Sequence, residues 1–293
     1  MTLAPTFSLD ELNRMAPSAI SAVLADVFEH APEVAVAAAA RAPFDTVTAL
    51  HSAMLDEIAG WPSDQVLRFL NNHPDLTGPG ERRPDLTPDS SREQAGAGLD
   101  RLHPEQAQLL AAWNREYRAR FGFPFIICAA RHSRDSILAE FARRRHGDPA
   151  TERLTALAEI SRITALRLVR KVEGRGAPNA HGQLSTHLLD TATGRPAAGI
   201  TIALYLMAEG GSEFVTGSVS NMDGRTDTPL IAGRPIPNGT WELRFELGQY
   251  LSGQSPTPLL GMVPIRFTTS EPEAHYHIPL LFTPWSYTTY RGS

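Results

Sequence analysis

The feature that most constrains this chain is a change of hydrophobic period near residue 172. Before it, apolar residues recur at helical spacing; after it, they alternate with polar ones, and one kind of element cannot satisfy both patterns. In Trp241-Glu242-Leu243-Arg244-Phe245-Glu246-Leu247 the alternation is strict, as in a strand buried on one face. Between the two regimes, Val172-Glu173-Gly174-Arg175-Gly176-Ala177-Pro178-Asn179-Ala180-His181-Gly182 has no period and is rich in glycine and proline. We expect an all-α domain over residues 1–171, a connection over 172–182 and an all-β sandwich over 183–293.

In the helical half, Ser8 with Glu11 reads as a capping box that opens a segment with apolar Leu9, Leu12, Ile20, Val23, Val27 and Phe28. Val47, Leu50, Met54 and Ile58 form a second stripe. Ser63 opens a shorter helix through Val66, Leu67 and Leu70, and Pro74 ends it at His73. Further helices are expected over about 90–102, 104–120, 133–146 and 149–171, the last with Leu154, Leu157, Ile160, Ile163 and Leu166 on one face. Beyond the connection, residues 201–206, 263–267 and 276–282 read as strands. With turn signals at Asp223-Gly224 and Asn238-Gly239, they predict an antiparallel sandwich.

Charge and cysteine usage narrow the function. A net charge of -5 gives no basic footprint for nucleic acid, so the expected partners are small molecules and copies of the chain itself. The lone Cys128 excludes an internal disulfide framework and a cysteine-built zinc site. No basic start precedes an apolar run and no stretch nears the ~20 apolar residues of a membrane span, so the expectation is a cytoplasmic chain, neither exported nor inserted. Lys171 is the only lysine, which leaves little room for Schiff-base chemistry. Carboxylate recognition then falls to arginine, histidine and backbone amides.

Three polar clusters in the second half look unlike ordinary strand or turn residues: Ser185-Thr186-His187 with Asp190, Asn221-Met222-Asp223-Gly224-Arg225, and the stretch from His275-Tyr276-His277 to Tyr290-Arg291-Gly292-Ser293. Strand alternation puts His275 and His277 on one face and Tyr276 and Ile278 on the other, and an ending on Arg-Gly-Ser without a polar tail is expected to be docked. Spacing alone leaves open a surface histidine pair, a catalytic site, or an open zinc site built from His187, His275 and His277.

The run from Leu184 to Gly199, the Asn-Met-Asp-Gly-Arg turn, His-Tyr-His-Ile-Pro and the closing Tyr-Arg-Gly-Ser resemble the transthyretin-related 5-hydroxyisourate hydrolases. The resemblance implies His187, Arg225, His277 and Ser293 as the catalytic set, with His275 and Tyr290 at the substrate, in a metal-independent enzyme. Trp285-Ser286 and Ser220 depart from the family pattern without touching these motifs. An alternative is a transthyretin-like binding or assembly module without catalysis, against which the intact set speaks.

The first half has four motifs with bland readings. His73-Pro74-Asp75-Leu76 suits a helix end; Ser90 with Glu93 suits a capping box; Phe123-Pro124-Phe125-Ile126-Ile127 suits a core; Arg167 could project from the polar side of its helix. Together, in this order, they resemble 2-oxo-4-hydroxy-4-carboxy-5-ureidoimidazoline (OHCU) decarboxylases. That implies His73 as acid/base residue with Glu93 as its partner. Pro74, Ser90, Gln94 and Arg167 would surround the substrate, and the backbone of Phe125, Ile126, Ile127, Cys128 and Ala129 would supply amides. Glu33 departs where the family has an aromatic. The hydrolase product is the decarboxylase substrate, so the pair implies a bifunctional enzyme of urate breakdown that makes (S)-allantoin without cofactor. The resemblance also implies homo-oligomers: a tetramer through the sandwich and dimer contacts through the helical domain.

Overall fold

A computed structural model of the chain describes residues 6–79 and 87–292. Two compact units emerge: one holds the chain up to Ala130 and Ile137–Ala180, the other Arg131–Ser136 and the chain from His181 onward.

The first unit opens on β1 (Phe7–Ser8), whose parallel partner β2 (Val172–Glu173) lies at its far end, so the start of the expected connection is part of this unit. Val172 is buried, and the carbonyls of Arg175 and Gly176 accept from the amides of Val47 and Thr48. Ser8 caps α1 (Leu9–Asn13) with the box expected from the sequence: the Glu11 amide donates to Ser8 Oγ at 3.2 Å, and the Ser8 amide to Glu11 Oε2 at 2.9 Å. The apolar run that follows divides into α2 (Pro17–Leu24) and, past a turn, α3 (Pro32–Ala39), each with proline in its first turn. The second of these helices buries mostly alanine, which leaves a weak periodic signal.

Next come α4 (Val47–Ala59), with Val47, Leu50, Met54 and Ile58 buried as the stripe predicted, and α5 (Ser63–Asn71). In α6 (Pro88–Gly96) the cap is Thr87, whose Oγ1 accepts from the Ser90 amide at 3.2 Å. The Ser90 capping box is therefore corrected: Ser90 lies one turn inside the helix and is free to face the interior. After α7 (Pro104–Phe121) and α8 (Arg134–Arg144), Asp148 caps α9 (Pro149–Val169). Leu154, expected on the buried face of this last helix, is 70% exposed, while Glu159, Thr164 and Arg167 are buried. The interior face is thus partly polar, and polar side chains there need partners.

One such set supports the segment 125–129. Arg144 binds Glu152 through Nη2 at 2.6 Å, and the Tyr117 hydroxyl donates to the same carboxylate. Arg144 also donates from Nη1 to the Ile126 carbonyl at 2.9 Å and lies 4.4 Å from the Phe125 ring, which stacks on Phe141.

The second unit contains β3 (Gly182–Ser185), β4 (Leu188–Asp190), β5 (Arg195–Pro196), β6 (Thr201–Ala208), β7 (Gly211–Val219), β8 (Ile231–Arg234) and β9 (Gly239–Glu246). A short α10 (Gly248–Ser252) precedes β10 (Met262–Thr269), β11 (His275–His277), β12 (Leu280–Phe282) and β13 (Tyr287–Thr289). One sheet, in the order β10-β9-β6-β7, is antiparallel throughout. Elsewhere the antiparallel expectation is corrected: β11 runs parallel to β3 and β12 parallel to β4. These strand pairs are also interrupted, at Thr186-His187 and at Ile278-Pro279, because Pro279 has no amide to continue a ladder. Across the gap the Thr186 hydroxyl donates to the Ile278 carbonyl at 2.7 Å, and the Leu280 amide to the His187 carbonyl at 2.9 Å. Leu184, Leu188, Ile202, Leu204, Trp241, Leu243, Phe245 and Leu280 belong to the apolar core of this unit. Among the described residues, no helix is long and apolar enough to cross a membrane.

Candidate active sites

In the helical unit His73, Pro74, Ser90, Glu93, Gln94, Phe125, Ile126, Ile127, Ala129 and Arg167 line one cleft, joined by Leu76 and Ile163. Cys128 does not. It is buried, and its amide donates to Glu159 Oε2 at 2.8 Å, so that N–H is spent on the protein and not on a ligand. Gln94 faces the cleft but spends its amide on neighbouring backbone, accepting from the Thr77 amide at 3.2 Å and donating to the Asp75 carbonyl at 3.4 Å. Asp75 in turn accepts from Arg118 at 2.8 Å. The segment after His73 is therefore braced from α6 and α7.

His73 closes α5 with its ring edge-on to Phe69 and 8% exposed. Its Nδ1 lies 3.2 Å from the Phe69 carbonyl; a carbonyl only accepts, so the proton sits on Nδ1 and Nε2 carries a lone pair. Burial pulls the imidazole down to about 4, partly offset by the negative charge of Glu29. At neutral pH His73 is thus a neutral base.

Glu93 shares the cleft with His73, and its side-chain hydrogen bonds go to Arg167. Glu93 binds Arg167 in a two-pronged grip, from Nε to Oε1 at 3.0 Å and from Nη2 to Oε2 at 2.9 Å. Arg167 Nη2 also donates to Ser90 Oγ at 3.2 Å, and Nη1 to Glu29 Oε2 at 2.7 Å. Glu29 is a residue that sequence reasoning missed. It sits in the turn between α2 and α3, shortly before Glu33. The available signal was Arg167 itself, a cation set in the apolar run Leu166-Arg167-Leu168.

In the strand unit, Arg225, His275 and His277 line a groove with Gln183, Ser185, Thr186, Thr226 and Pro229. The parallel register sets Ser185 opposite His277 and Gln183 opposite His275. Tyr276 and Ile278 are buried on the other face, as alternation required. Arg225 reaches the groove because the Asn221–Arg225 turn closes tightly on β4. Asn221 Oδ1 accepts from the amides of Asp223 and Arg225, and Gly224 has φ +69° with its α-carbon so near β4 that a Cβ would lie 2.3 Å from the Leu188 carbonyl. A short bridge then sets Arg225 beside His187. Gly292 is needed for a similar reason: its amide donates to the His277 carbonyl at 2.8 Å, and a Cβ there would stand 2.7 Å from the His277 ring.

Ser185 was singled out in a cluster but not as a site residue. Its Oγ lies 2.8 Å from His275 Nε2 and 3.0 Å from His277 Nδ1. A hydroxyl has one proton, so it cannot donate to both rings, and the state of one imidazole constrains the other. Burial, followed by the charge of Arg225, lowers the pKa of both His187 and His277, which keeps both neutral at neutral pH. His187 Nε2 is buried with no hydrogen-bond partner among the described residues. Tyr290 is 56% exposed and does not line the groove. Ser293 lies outside the described residues. Among those described, no three histidine, cysteine or carboxylate side chains are grouped to hold a metal ion.

Residues 13–169 match the family model of OHCU decarboxylase, and residues 184–292 that of the HIUase/Transthyretin family. The chain is 46% identical over 118 residues to 5-hydroxyisourate hydrolase of Deinococcus radiodurans, covering 39% of this chain and 99% of that protein. It is 36% identical over 164 residues to 2-oxo-4-hydroxy-4-carboxy-5-ureidoimidazoline decarboxylase of Haloferax volcanii, covering 56% of this chain and 95% of that one. A crystal structure of (S)-allantoin synthase is similar over 98% of this chain and 100% of its own, with 29% identity and a TM-score of 0.53.

Proposed function

The chain belongs to the OHCU decarboxylase family through residues 13–169 and to the HIUase/Transthyretin family through residues 184–292, and from that premise we infer that it carries out two consecutive steps of urate breakdown. The strand unit hydrolyses 5-hydroxyisourate to OHCU, and the helical unit decarboxylates OHCU to (S)-allantoin. The observation that supports this reading is that His73, Glu93 and Arg167 line one cleft and Arg225, His275 and His277 one groove, with His187 bridged to Arg225.

In hydrolysis, water adds to a ring carbonyl, the carbon–nitrogen bond breaks and the nitrogen takes a proton. His277 supplies the base. With Ser185 donating to His275, His277 donates from Nδ1 to Ser185 and presents a lone pair at Nε2. The positive charge it gains on taking a proton is shared along this hydrogen-bond chain to the exposed His275. Arg225 offers planar donors to the oxygens that gain charge, and His187, bridged to Arg225 through the backbone, is assigned to the site on the family motif. We assign Ser293 and Tyr290 to the same site on the family motif.

In decarboxylation the carbon–carbon bond to the carboxylate breaks, its electron pair forms a ring double bond to the ureido-bearing carbon, and the imine electrons move to nitrogen, which takes a proton from solvent. The enol then gives its hydroxyl proton to the base, becoming the ring carbonyl, and the ureido-bearing carbon takes a proton. Arg167 orients the anionic substrate. His73 begins as a base at Nε2 and returns the proton from one side, which sets the product's handedness. Assembly into homo-oligomers through the strand unit is part of the same proposal.

The test is to give freshly made 5-hydroxyisourate to the full chain and follow its absorbance together with circular dichroism at the wavelengths of allantoin. Rapid loss of absorbance followed by a single-handed product is expected. Racemic allantoin would remove the decarboxylase assignment, and unaccelerated loss of absorbance the hydrolase assignment.

A further inference from the structure

Resting on the decarboxylase reading of the helical cleft, we propose that Glu29 is a positioning residue that keeps Arg167 aimed at the substrate while Glu93 exchanges its own contacts. The two carboxylates on Arg167 are not equivalent. Glu29 is 3% exposed and does not line the cleft. Its Oε1 accepts from Thr87 Oγ1 at 2.8 Å and from Ser90 Oγ at 3.0 Å, and its Oε2 accepts from Arg167. Glu93 lines the cleft, and among the described residues its side chain is bonded to Arg167 alone.

A guanidinium has five N–H groups, and four of the Arg167 set are committed in this way: two to Glu93, one to Ser90 and one to Glu29. An anionic substrate entering the cleft can compete for the bonds that Glu93 and Ser90 hold, since both line the cleft, but not for the bond to Glu29, which does not. Once Glu93 loosens its grip or takes a proton, a long arginine held by nothing else would recover its rotamer freedom and lose its aim. The anchor at Nη1 prevents this.

The placement of Glu29 extends the argument. The next residue, His30, has φ +49°, a left-handed conformation unusual for a side chain other than glycine, and the His30 carbonyl accepts from Asn72 Nδ2 at 3.2 Å. Asn72 adjoins His73. The turn that bears Glu29 is therefore tied to the helix end that carries the base, to the first turn of α6 through Thr87 and Ser90, and to α9 through Arg167. One buried carboxylate registers the cation against the imidazole.

The full chain serves for the test, with decarboxylation of in situ OHCU measured against the hydrolysis rate of the same sample as the concentration standard. Glu29→Gln keeps the size and removes the charge, and should raise the decarboxylation KM and lower kcat/KM by about 10- to 100-fold. Glu29→Asp restores the charge at shorter reach and should recover part of that loss, leaving kcat/KM about 3- to 10-fold below wild type. Wild-type kcat/KM in Glu29→Gln would overturn the proposal. So would equal losses in the two variants, which would point to a packing role indifferent to charge. If Glu29→Gln does not fold, a folded Glu29→Asp with wild-type KM overturns it alone. Failure of the wild-type chain to make single-handed allantoin would instead sink the decarboxylase reading, and this proposal with it.

Discussion

The helical cleft and the strand groove hold their arginines in opposite ways. Arg167 is 4% exposed and lies between two carboxylates, whereas Arg225 is exposed and among the described residues forms no ion pair. His73 is buried against Phe69, while His275 stands in solvent with a serine between it and His277. The two reactions account for this difference. Decarboxylation builds up charge that is best stabilised by fixed groups away from water, and a buried cation without carboxylates would cost more than folding could offset. Hydrolysis consumes water, so its groove must admit it. One family of solutions relies on preorganisation, the other on access.

The largest expected effect tests whether the two sites are separate. His73→Gln should lower decarboxylation by about 10²- to 10⁴-fold and leave hydrolysis at its wild-type rate, and His277→Gln should do the reverse. Both steps can be read in one sample from absorbance and circular dichroism. A variant that slows both would break the comparison.

Acid should distinguish the units next. His51, whose Nε2 meets Thr164 Oγ1 at 2.8 Å, and His73 are both pulled down to about 4 by burial, from an ordinary 6.5. A folded imidazole that resists protonation stabilises the unit fully above pH 6.5, and the unfolded chain gains as pH falls from there toward 4. The loss is at most about 3 kcal/mol per histidine. Unfolding by denaturant, followed through signals from each unit between pH 7 and 4, should show the helical unit weakening over that window. His51→Gln should flatten the dependence, and an unchanged slope in that variant would refute the assignment.

Smallest is the contribution of the hydroxyl between the histidines. Ser185→Ala removes one neutral hydrogen-bond bridge and should slow hydrolysis by about 10-fold or less, with the acid limb of its pH profile displaced. Hydrolysis that keeps both its rate and its profile would mean the two imidazoles act independently.

Parts of both sites were legible in the amino-acid sequence alone. Tyr276 and Ile278 had to face away from His275 and His277, since a strand alternates whatever surrounds it. Ser8 with Glu11 formed the expected cap because both partners lie within one turn. Thr87 and Ser90 show where such reading fails. Both can cap; Thr87 does so just before Pro88, and both hydroxyls also donate to Glu29, 58 and 61 residues away. Leu154 fails for a related reason: at its level the buried face of the helix carries Glu152, paired with Arg144, and Ala156, and the apolar Leu154 is left outside.

What the sequence determined by itself was therefore local: the change of period, the helix and strand faces, and residue types whose chemistry suits a hydrolase and a decarboxylase. Tertiary structure decided which of those residues meet. The parallel register of β3 with β11 brings Ser185 between two histidines 90 and 92 residues away, and the fold of the helical unit joins Glu29 to Arg167 across 138 residues. Backbone periodicity is set by neighbours along the chain. The pairing of buried charges is set by desolvation, which only a closed interior imposes, and that interior is built from segments that no local pattern connects.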